Sequence, residues 1–220
     1  MSGGPSISAV AAGVGVFATS YLVGSIPWAY IIVKAVTGED ITRHGTGNVG
    51  AMNVRRTTGS WGWFVVAMVA DALKGLLPVV AVYALFGTGA GARLLAPIAA
   101  IGAVVGHDWS LWLSLAKRRI LGGKGLATGG GALLVYDWRY FVIALVIGLG
   151  VIALTRYMMA GQVAAAVSLP LYTIATRQPD WPLMTVLGAV VYLRHHRRFI
   201  GLLKGEEPRL YVHDRQGPRG

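Results

Sequence analysis

The stretch from Trp61 to Phe86 reads WGWFVVAMVADALKGLLPVVAVYALF and decides the fold class of this protein. A helix of about 20 consecutive apolar residues crosses the hydrocarbon core of a bilayer, and this stretch is longer than that. Asp71 and Lys74 are its only charged residues. The stretch therefore predicts a transmembrane helix that carries one acidic and one basic side chain inside the membrane.

Apolar segments recur along the whole chain of 220 residues. The chain is 55% hydrophobic and 13% charged, whereas soluble domains carry about 25% charged residues. The sequence thus predicts an all-α integral membrane protein with seven transmembrane helices. The segment 125–136 is too short for a full crossing, so we expect it to be tilted or embedded within the protein. The predicted spans are 8–34, 61–86, 94–112, 125–136, 139–155, 157–175 and 181–193.

The first span contains the sequence Gly24-Ser25-Ile26-Pro27. Proline removes a backbone donor and bends a helix, which membrane helices tolerate where the bend lines a polar cavity. No basic region precedes this span and no small-residue cleavage site follows it. We therefore interpret it as a retained helix rather than a signal peptide.

Positive charge is concentrated on one side of the predicted topology. The formal net charge is +11, and the basic residues of 34–56, of 117–124 and of the stretch from 194 onward share that side. Because cytoplasmic loops carry the excess of lysine and arginine, the C-terminus is predicted to be cytoplasmic and the N-terminus outside. In an alternative interpretation, these charges only set topology and bind anionic lipid. No nucleic-acid partner is expected.

Residues 1–210 are expected to form a single polytopic domain, followed by a basic, disordered tail at 211–220. The chain contains no cysteine, which excludes a disulfide framework and thiolate chemistry. Its histidine and carboxylate residues show no spacing typical of a metal site. We therefore expect neither a metal nor a cofactor.

Glycines surround one lysine in Gly122-Gly123-Lys124-Gly125-Leu126-Ala127-Thr128, and three further glycines follow at 129–131. Backbone N–H groups of such a loop can approach an oxyanion closely while the ammonium group neutralises it, so the loop is suited to phosphate. It is not a nucleotide-binding P-loop, because glycine rather than serine or threonine follows Lys124 and Arg118 stands at the first position of that pattern.

A second glycine-rich stretch, Gly45-Thr46-Gly47-Asn48, is followed by Asn53 and Arg56. Hydroxyl and amide groups can hydrogen-bond a phosphorylated substrate, and arginine can grip phosphate bidentately. The alternative is a glycine-rich turn with asparagine in the left-handed region. Spacing alone leaves both interpretations open.

Ionisable residues also lie within or beside the predicted spans. Asp71 and Lys74 are one helical turn apart, so they can form an ion pair that ties the bundle together, braces the loops or orients a substrate lysine. His107 ends the third span close to the glycine-lysine loop, and His195 opens the basic C-terminal stretch. Each histidine is either structural or a binding or acid–base group.

The order of these motifs resembles the acyl-phosphate:glycerol-3-phosphate acyltransferase family (PlsY). The resemblance runs from about residue 20 to 207, and four motifs in register are more specific than any one of them. The segments that carry it are Gly24 to Pro27, Asp40-Ile41 with Gly45 to Arg56, Asp71 to Gly75, Gly106-His107 with Gly122 to Thr128, and Arg194-His195 with Gly205 to Glu207.

This resemblance implies transfer of an acyl group from acyl phosphate to the 1-hydroxyl of glycerol 3-phosphate, with lysophosphatidic acid and phosphate as products. It implies a multi-pass protein of the bacterial cytoplasmic membrane whose active site faces the cytoplasm. The expected partners are the two substrates and the lipid bilayer. A monomer is compatible with the sequence. The expected catalytic residues are Lys124, His195 and Ser25. Asp71 and Lys74 are expected to have a structural or orienting role. The expected substrate-binding residues are Thr46, Asn48, Asn53, Arg56, His107, Gly122, Gly123, Gly125, Thr128 and Arg198.

The chain departs from the family pattern at a few positions. Thr42 stands where arginine is usual, with Arg43 beside it, and Met52 replaces threonine. Leu121 replaces a basic residue before the glycines, and Arg198 replaces asparagine. Alternatives to the leading hypothesis are therefore a paralogue that uses another phosphorylated acceptor, a lipid-phosphate or anion transporter, and a scaffold protein that only binds anionic lipid.

Overall fold

The computed structural model describes residues 7–207, and this part of the chain is helical with no strand. The predicted tail at 211–220 lies outside the described residues. A 3-10 turn at Ile41–Arg43 joins the second and third helices. The helices are α1 Ile7–Gly24, α2 Trp28–Thr37, α3 Ala51–Thr58, α4 Trp61–Phe86, α5 Ala90–Asp108, α6 Leu111–Lys117, α7 Leu126–Tyr136, α8 Trp138–Thr155, α9 Met158–Ala175 and α10 Trp181–Leu203.

Five helical segments are long and apolar enough to cross a membrane within 7–207. Helix α7 is apolar but has only 11 residues, and α10 combines an apolar first half with a basic second half. The all-α membrane fold is as predicted, whereas the count of seven crossings and the orientation of the termini remain predictions. The five segments are Ile7–Thr37, Trp61–Phe86, Ala90–Lys117, Trp138–Thr155 and Met158–Ala175.

Two of the predicted continuous spans are each broken into two helices. Residues 25–27 separate α1 from α2, and residues 109–110 separate α5 from α6. The breaks lie against each other, because the Ser110 hydroxyl donates to the Ser25 carbonyl and the Tyr21 hydroxyl donates to the Trp109 carbonyl at 3.0 Å. Carbonyl groups freed by non-helical backbone are thus satisfied inside the protein, as a bilayer requires.

Glycines allow the helices around these breaks to touch through their backbones. A Cβ atom on Gly24 would strike the Ala103 carbonyl, and one on Gly106 would strike the Tyr21 carbonyl, so α1 and α5 are in direct contact. Gly75 of α4 contacts the Thr128 carbonyl of α7 in the same way. Small residues at such interfaces are typical of membrane helix packing. The short helix α7 is therefore embedded against α4.

The helices extend beyond the predicted spans in two places. The stretch between the first two predicted spans contains the helix α3, and the helix that includes the predicted span 181–193 continues to Leu203. Loss of hydrophobicity marks where a membrane span ends, but arginine is a good helix former and lets the helix continue beyond that point. His195 and Arg198 therefore project from a regular helix rather than from a tail.

Candidate active site

The glycine-lysine loop, residues 118–125, lies on the C-terminal end of α5. The Gly123 N–H donates to the His107 carbonyl at 2.8 Å. A Cβ atom on Gly122 would strike the Asp108 carbonyl, and one on Gly123 would strike the His107 ring. Gly125 adopts the left-handed conformation with φ of 65° and directly precedes α7. Only glycine permits both the close contact and this backbone turn.

Helix α7 begins directly after this loop. No side chain caps the helix at Gly125, and the first N–H groups of a helix have no partner within it. Such a helix end attracts anions. The loop therefore combines backbone donors with the Lys124 ammonium group, as phosphate binding requires.

Lys124 is half-buried among other basic side chains. Burial and the charges of Arg198, Arg194 and Arg56 together lower the pKa of its ammonium group to about 8, whereas Glu207 opposes them. These arginines come from α3 and α10, so the glycine-lysine loop, the first loop and the C-terminal helix converge here. The result is a strongly basic site that is suited to more than one phosphate group.

His107 and Thr128 lie beneath the loop rather than on its open side. The His107 ring is buried against Gly123, with its Nδ1 atom 3.5 Å from Asp71 Oδ1. Thr128 is fully buried in α7. In this structure both side chains support the loop, and their expected role as substrate ligands remains a prediction.

Asp71 and Lys74 form the ion pair that their spacing predicts. Their side chains are 3% and 4% exposed, and Lys74 Nζ lies 3.0 Å from Asp71 Oδ1. Lys74 also donates to the Ile26 carbonyl at 2.9 Å, and Asp71 faces His107. The pair therefore connects the break after α1 with the support beneath the glycine-lysine loop, which agrees with a structural role.

Asn53 organises the first loop, residues 38–50, from inside. The two N–H groups of its Nδ2 are shared among three carbonyls, those of Ile41, His44 and Asn48, at N···O distances of 3.0–3.2 Å. Its Oδ1 accepts from the Thr46 N–H at 3.3 Å. The side chain is buried, and its N–H groups are engaged within the loop. Asn53 thus shapes the first loop in this structure, and its expected substrate-binding role remains a prediction.

The remaining predicted residues of this region are accessible. Thr46 and Arg56 are exposed and Asn48 is half-buried, so their side chains can reach a ligand. Thr42, a departure from the family pattern, donates its hydroxyl to Asp40 at 2.7 Å. Burial alone would raise the pKa of the Asp40 carboxyl, but hydrogen bonds from Lys117 and Thr42 lower it to about 2. Thr42 therefore helps to position Asp40 for the ion pair with Lys117, which connects this loop to α6.

Ser25 is fully buried in the break between α1 and α2. Its hydroxyl oxygen finds no partner within 7–207, and its carbonyl accepts from Ser110. No hydrogen bond joins it to Lys124 or His195 in the described part of the chain. Its expected catalytic role thus remains a prediction.

His195 is 1% exposed on α10. Its Nδ1 lies 2.7 Å from the Val191 carbonyl, which can only accept a hydrogen bond, so Nδ1 carries the proton in the neutral ring. The lone pair is then on Nε2, which has no partner among the described residues. Because Lys124 and Arg198 are within electrostatic range, His195 presents an acceptor inside a cationic site.

Arg198 is held by a carboxylate from the end of the described chain. Its Nε donates to Glu207 Oε1 at 2.7 Å, and its Nη2 donates to Glu207 Oε2. Gly205, with φ of 73°, reverses the chain after α10 and brings Glu207 back. Arg198 is 43% exposed despite this pair. The guanidinium group can therefore exchange the carboxylate for a phosphate of similar geometry.

Sequence reasoning missed two residues at this site. Arg194 donates to the Gly122 and Gly123 carbonyls. Asp108 is fully buried beside Gly125, and its carboxylate oxygens have no hydrogen-bond partner within residues 7–207. The sequence feature that could have pointed to them is adjacency: Arg194 directly precedes His195, and Asp108 directly follows His107.

An apolar groove of about 320 Å³ begins at the glycine-lysine loop. It runs between α7, α8, α9 and α10 and is lined almost entirely by apolar atoms. Gly148 and Gly161 bring α8 and α9 together at its wall. The groove is therefore suited to an acyl chain whose polar head lies at Lys124. Lining residues include Gly125, Gly129, Leu133, Phe141, Leu145 and Val191.

Comparison with known proteins identifies the family. The profile of the family described as Glycerol-3-phosphate acyltransferase matches residues 14–205. Glycerol-3-phosphate acyltransferase 2 of Moorella thermoacetica is 40% identical over 194 residues, which cover 87% of this chain and 94% of that protein. The glycerol-3-phosphate acyltransferase of Desulforudis audaxviator is 39% identical, with coverage of 88% and 93%.

Two solved structures have the same fold. The crystal structure of PlsY (YgiH), an integral membrane glycerol 3-phosphate acyltransferase, in its glycerol 3-phosphate form superposes with a TM-score of 0.77 and 28% identity, covering 90% of this chain and 94% of that chain. The lysophosphatidic acid form of PlsY gives a TM-score of 0.75 and 27% identity with the same coverage. This chain belongs to the glycerol-3-phosphate acyltransferase family.

Proposed function

We propose that this membrane protein transfers the acyl group of acyl phosphate to the 1-hydroxyl of glycerol 3-phosphate. The products are lysophosphatidic acid and inorganic phosphate, in the first step of phospholipid biosynthesis. The observation that carries the proposal is the junction of the apolar groove with the basic cluster around Lys124. Such a junction can hold an acyl chain and two phosphate groups together.

The acyl chain lies in the groove, and its phosphate occupies the glycine-lysine loop. Lys124 and the N–H groups at the start of α7 neutralise this phosphate. Arg56 and Arg198 hold the phosphate of glycerol 3-phosphate, for which arginine has the matching fork of donors. Both phosphates then lie on the same basic cluster with their reacting groups between them.

The hydroxyl oxygen of glycerol 3-phosphate attacks the acyl carbonyl carbon, and the bond from that carbon to the phosphate oxygen breaks. The hydroxyl proton passes to His195 Nε2 and from there to the departing phosphate. His195 Nε2, which holds a lone pair, accepts a hydrogen bond from the attacking hydroxyl and orients it. Positioning and charge neutralisation carry the rate, since correct placement of two reactants is worth up to about 7–11 kcal/mol.

The basic cluster supports a cytoplasmic active site by the positive-inside rule, and we assign the protein to the bacterial cytoplasmic membrane. All groups named above come from one chain, so a monomer suffices. Residues 1–210 are assigned to one catalytic domain.

Arg198 favours a second candidate, in which another phosphorylated alcohol is the acceptor. The family pattern has asparagine there, and the guanidinium group brings an additional charge to the acceptor side of the site. A more highly charged acceptor would benefit from it.

The proposal is tested with purified protein, palmitoyl phosphate and glycerol 3-phosphate, by measuring lysophosphatidic acid. Lys124→Ala is expected to lower kcat/KM by about 100-fold or more, because it removes the charge at the leaving phosphate. Arg93→Ala, at the opposite end of α5 and exposed, is the matched control and should leave the rate unchanged. Full activity of Lys124→Ala would contradict the proposal.

A further inference from the structure

Arg194 of α10 crosses to the glycine-lysine loop and binds its backbone. Its Nε donates to the Gly123 carbonyl at 2.8 Å, and its Nη2 donates to the Gly122 carbonyl at 3.2 Å. The guanidinium carbon lies 5.8 Å from the centre of the Trp109 ring. One rigid fork of donors is thus held between an aromatic face and two consecutive carbonyl groups.

These hydrogen bonds set the orientation of two consecutive peptide planes. The C=O and N–H groups of a trans peptide point in opposite directions. The plane between Gly122 and Gly123 is held on both sides, by Arg194 at the carbonyl and by the His107 carbonyl at the N–H. In the next plane, Arg194 holds the Gly123 carbonyl, so the Lys124 N–H points away from Arg194.

The glycine-lysine loop needs a restraint from outside, because its glycine residues do not fix the backbone conformation. Glycine reaches many backbone conformations, and an unrestrained glycine loop loses conformational entropy when it orders around a ligand. Carbonyl oxygens that turned toward the anion site would also repel phosphate. A side chain that binds these oxygens keeps them out of the site and leaves the Lys124 N–H on the opposite side of its peptide plane.

Arg194 differs in this respect from the other arginines near Lys124. Arg56 is exposed, and Arg198 is bound to a carboxylate that can be exchanged. Two donor groups of Arg194 are already used on protein carbonyls. Arg194 therefore binds the glycine-lysine loop, whereas Arg56 and Arg198 can bind a substrate.

We infer that Arg194 is a positioning residue that orients the Gly122 and Gly123 peptide groups so that the loop can receive the phosphate of the acyl donor. The inference rests on the proposed function for the identity of the ligand. The orientation of the loop itself can be measured without any reaction.

The test compares Arg194→Gln and Arg194→Lys with Arg197→Gln, which removes an exposed charge from the same helix. Hydrogen exchange of residues 120–128 is measured on the full-length protein in detergent. Arg194→Gln should accelerate exchange at Gly123 by about tenfold, since a hydrogen bond to a charged group is lost from the same peptide plane. Arg194→Lys should show a smaller increase because an ammonium group cannot bridge both carbonyls, and Arg197→Gln should match the wild type.

Kinetics with palmitoyl phosphate and glycerol 3-phosphate give the second readout. Arg194→Gln should raise KM for palmitoyl phosphate by about tenfold and leave KM for glycerol 3-phosphate within about twofold. Unchanged exchange in Arg194→Gln and Arg194→Lys, or an equal rise of both KM values, would overturn the inference. If the wild type transfers no acyl group and exchange is still accelerated in Arg194→Gln, the proposed reaction fails while the positioning of the loop by Arg194 stands.

Discussion

The two glycine-rich loops of the basic site are ordered in opposite ways. In the first loop, the single side chain of Asn53 binds the surrounding backbone from within a local segment. In the glycine-lysine loop, the restraints come from distant elements, His107 of α5 below and Arg194 of α10 across. The first loop is thus shaped mainly by a nearby side chain and is tied to α6 by the Lys117–Asp40 ion pair, whereas the loop that holds Lys124 is restrained by side chains and backbone of two distant helices.

The largest expected effect comes from breaking the support of the glycine-lysine loop. In Gly123→Ala, the added methyl group would strike the His107 ring and displace the loop. We expect kcat/KM to fall by about 100-fold, the cost of misplacing reacting groups by about 1 Å. Steady-state assays of phosphate release measure this loss.

Gly91→Ala is the control for that substitution, since nothing lies within 4 Å of a Cβ atom at Gly91. It should retain wild-type activity. A Gly123→Ala enzyme with normal kinetics would show that the His107 contact does not set the position of the loop.

Asn53→Ala breaks the first loop from inside. It leaves the Ile41, His44 and Asn48 carbonyls without their donor. Stability should decrease by about 2 kcal/mol, because buried polar groups lose their partners. Unfolding in detergent measures the decrease, with Thr58→Ala on the same helix as the control for a local hydroxyl bond.

Asn53→Ala should also raise KM for glycerol 3-phosphate more than KM for palmitoyl phosphate. The reason is that Thr46, Asn48 and Arg56 belong to the first loop and its helix. An equal effect on both substrates would contradict the separate ordering of the two loops.

The pH dependence distinguishes the loops because only the glycine-lysine loop carries a lysine. Burial, with the charges of Arg198, Arg194 and Arg56, lowers the pKa of Lys124 to about 8, so its charge is present below that pH and is lost as pH rises through it. We expect kcat/KM for palmitoyl phosphate to decline about tenfold per pH unit above pH 8. In Lys124→Arg the charge persists, and this decline should disappear. A wild-type profile that stays flat to pH 9.5 would be inconsistent with the role of Lys124.

The smallest expected effect concerns Arg198, which lies beside both loops. Glu207→Gln removes the carboxylate that binds Arg198 and should lower KM for glycerol 3-phosphate by about threefold. Arg198→Asn should raise the same KM by a similar factor. If both variants keep the wild-type KM, Arg198 does not contact the acceptor.

Much of the fold follows from hydropathy, because in a bilayer the apolar length of a segment limits where a helix can cross. The span predicted at 61–86 coincides with α4, and the span at 157–175 differs from α9 by one residue. Hydropathy did not show the break after Gly24 or the continuation of α10 to Leu203, because both depend on hydrogen bonds and helix propensity rather than on hydrophobicity.

The site was predictable to the level of its motifs but not of its contacts. Lys124 and the glycines follow from local chemistry, since closely approaching N–H groups and one ammonium group suit phosphate. The burial of Asn53, His107 and Thr128 could not be predicted, because burial is a property of the folded bundle. Arg194 was missed for the same reason: its acceptors lie about 70 positions earlier in the chain.

The central claim is that acyl phosphate and glycerol 3-phosphate react together at the basic cluster. It is tested most directly by measuring both products from purified wild-type protein supplied with palmitoyl phosphate. The account predicts that phosphate release depends on glycerol 3-phosphate and that lysophosphatidic acid forms in a ratio of about one to each phosphate, since a single acyl transfer makes both. Phosphate release that is independent of glycerol 3-phosphate, or release without lysophosphatidic acid, would contradict it.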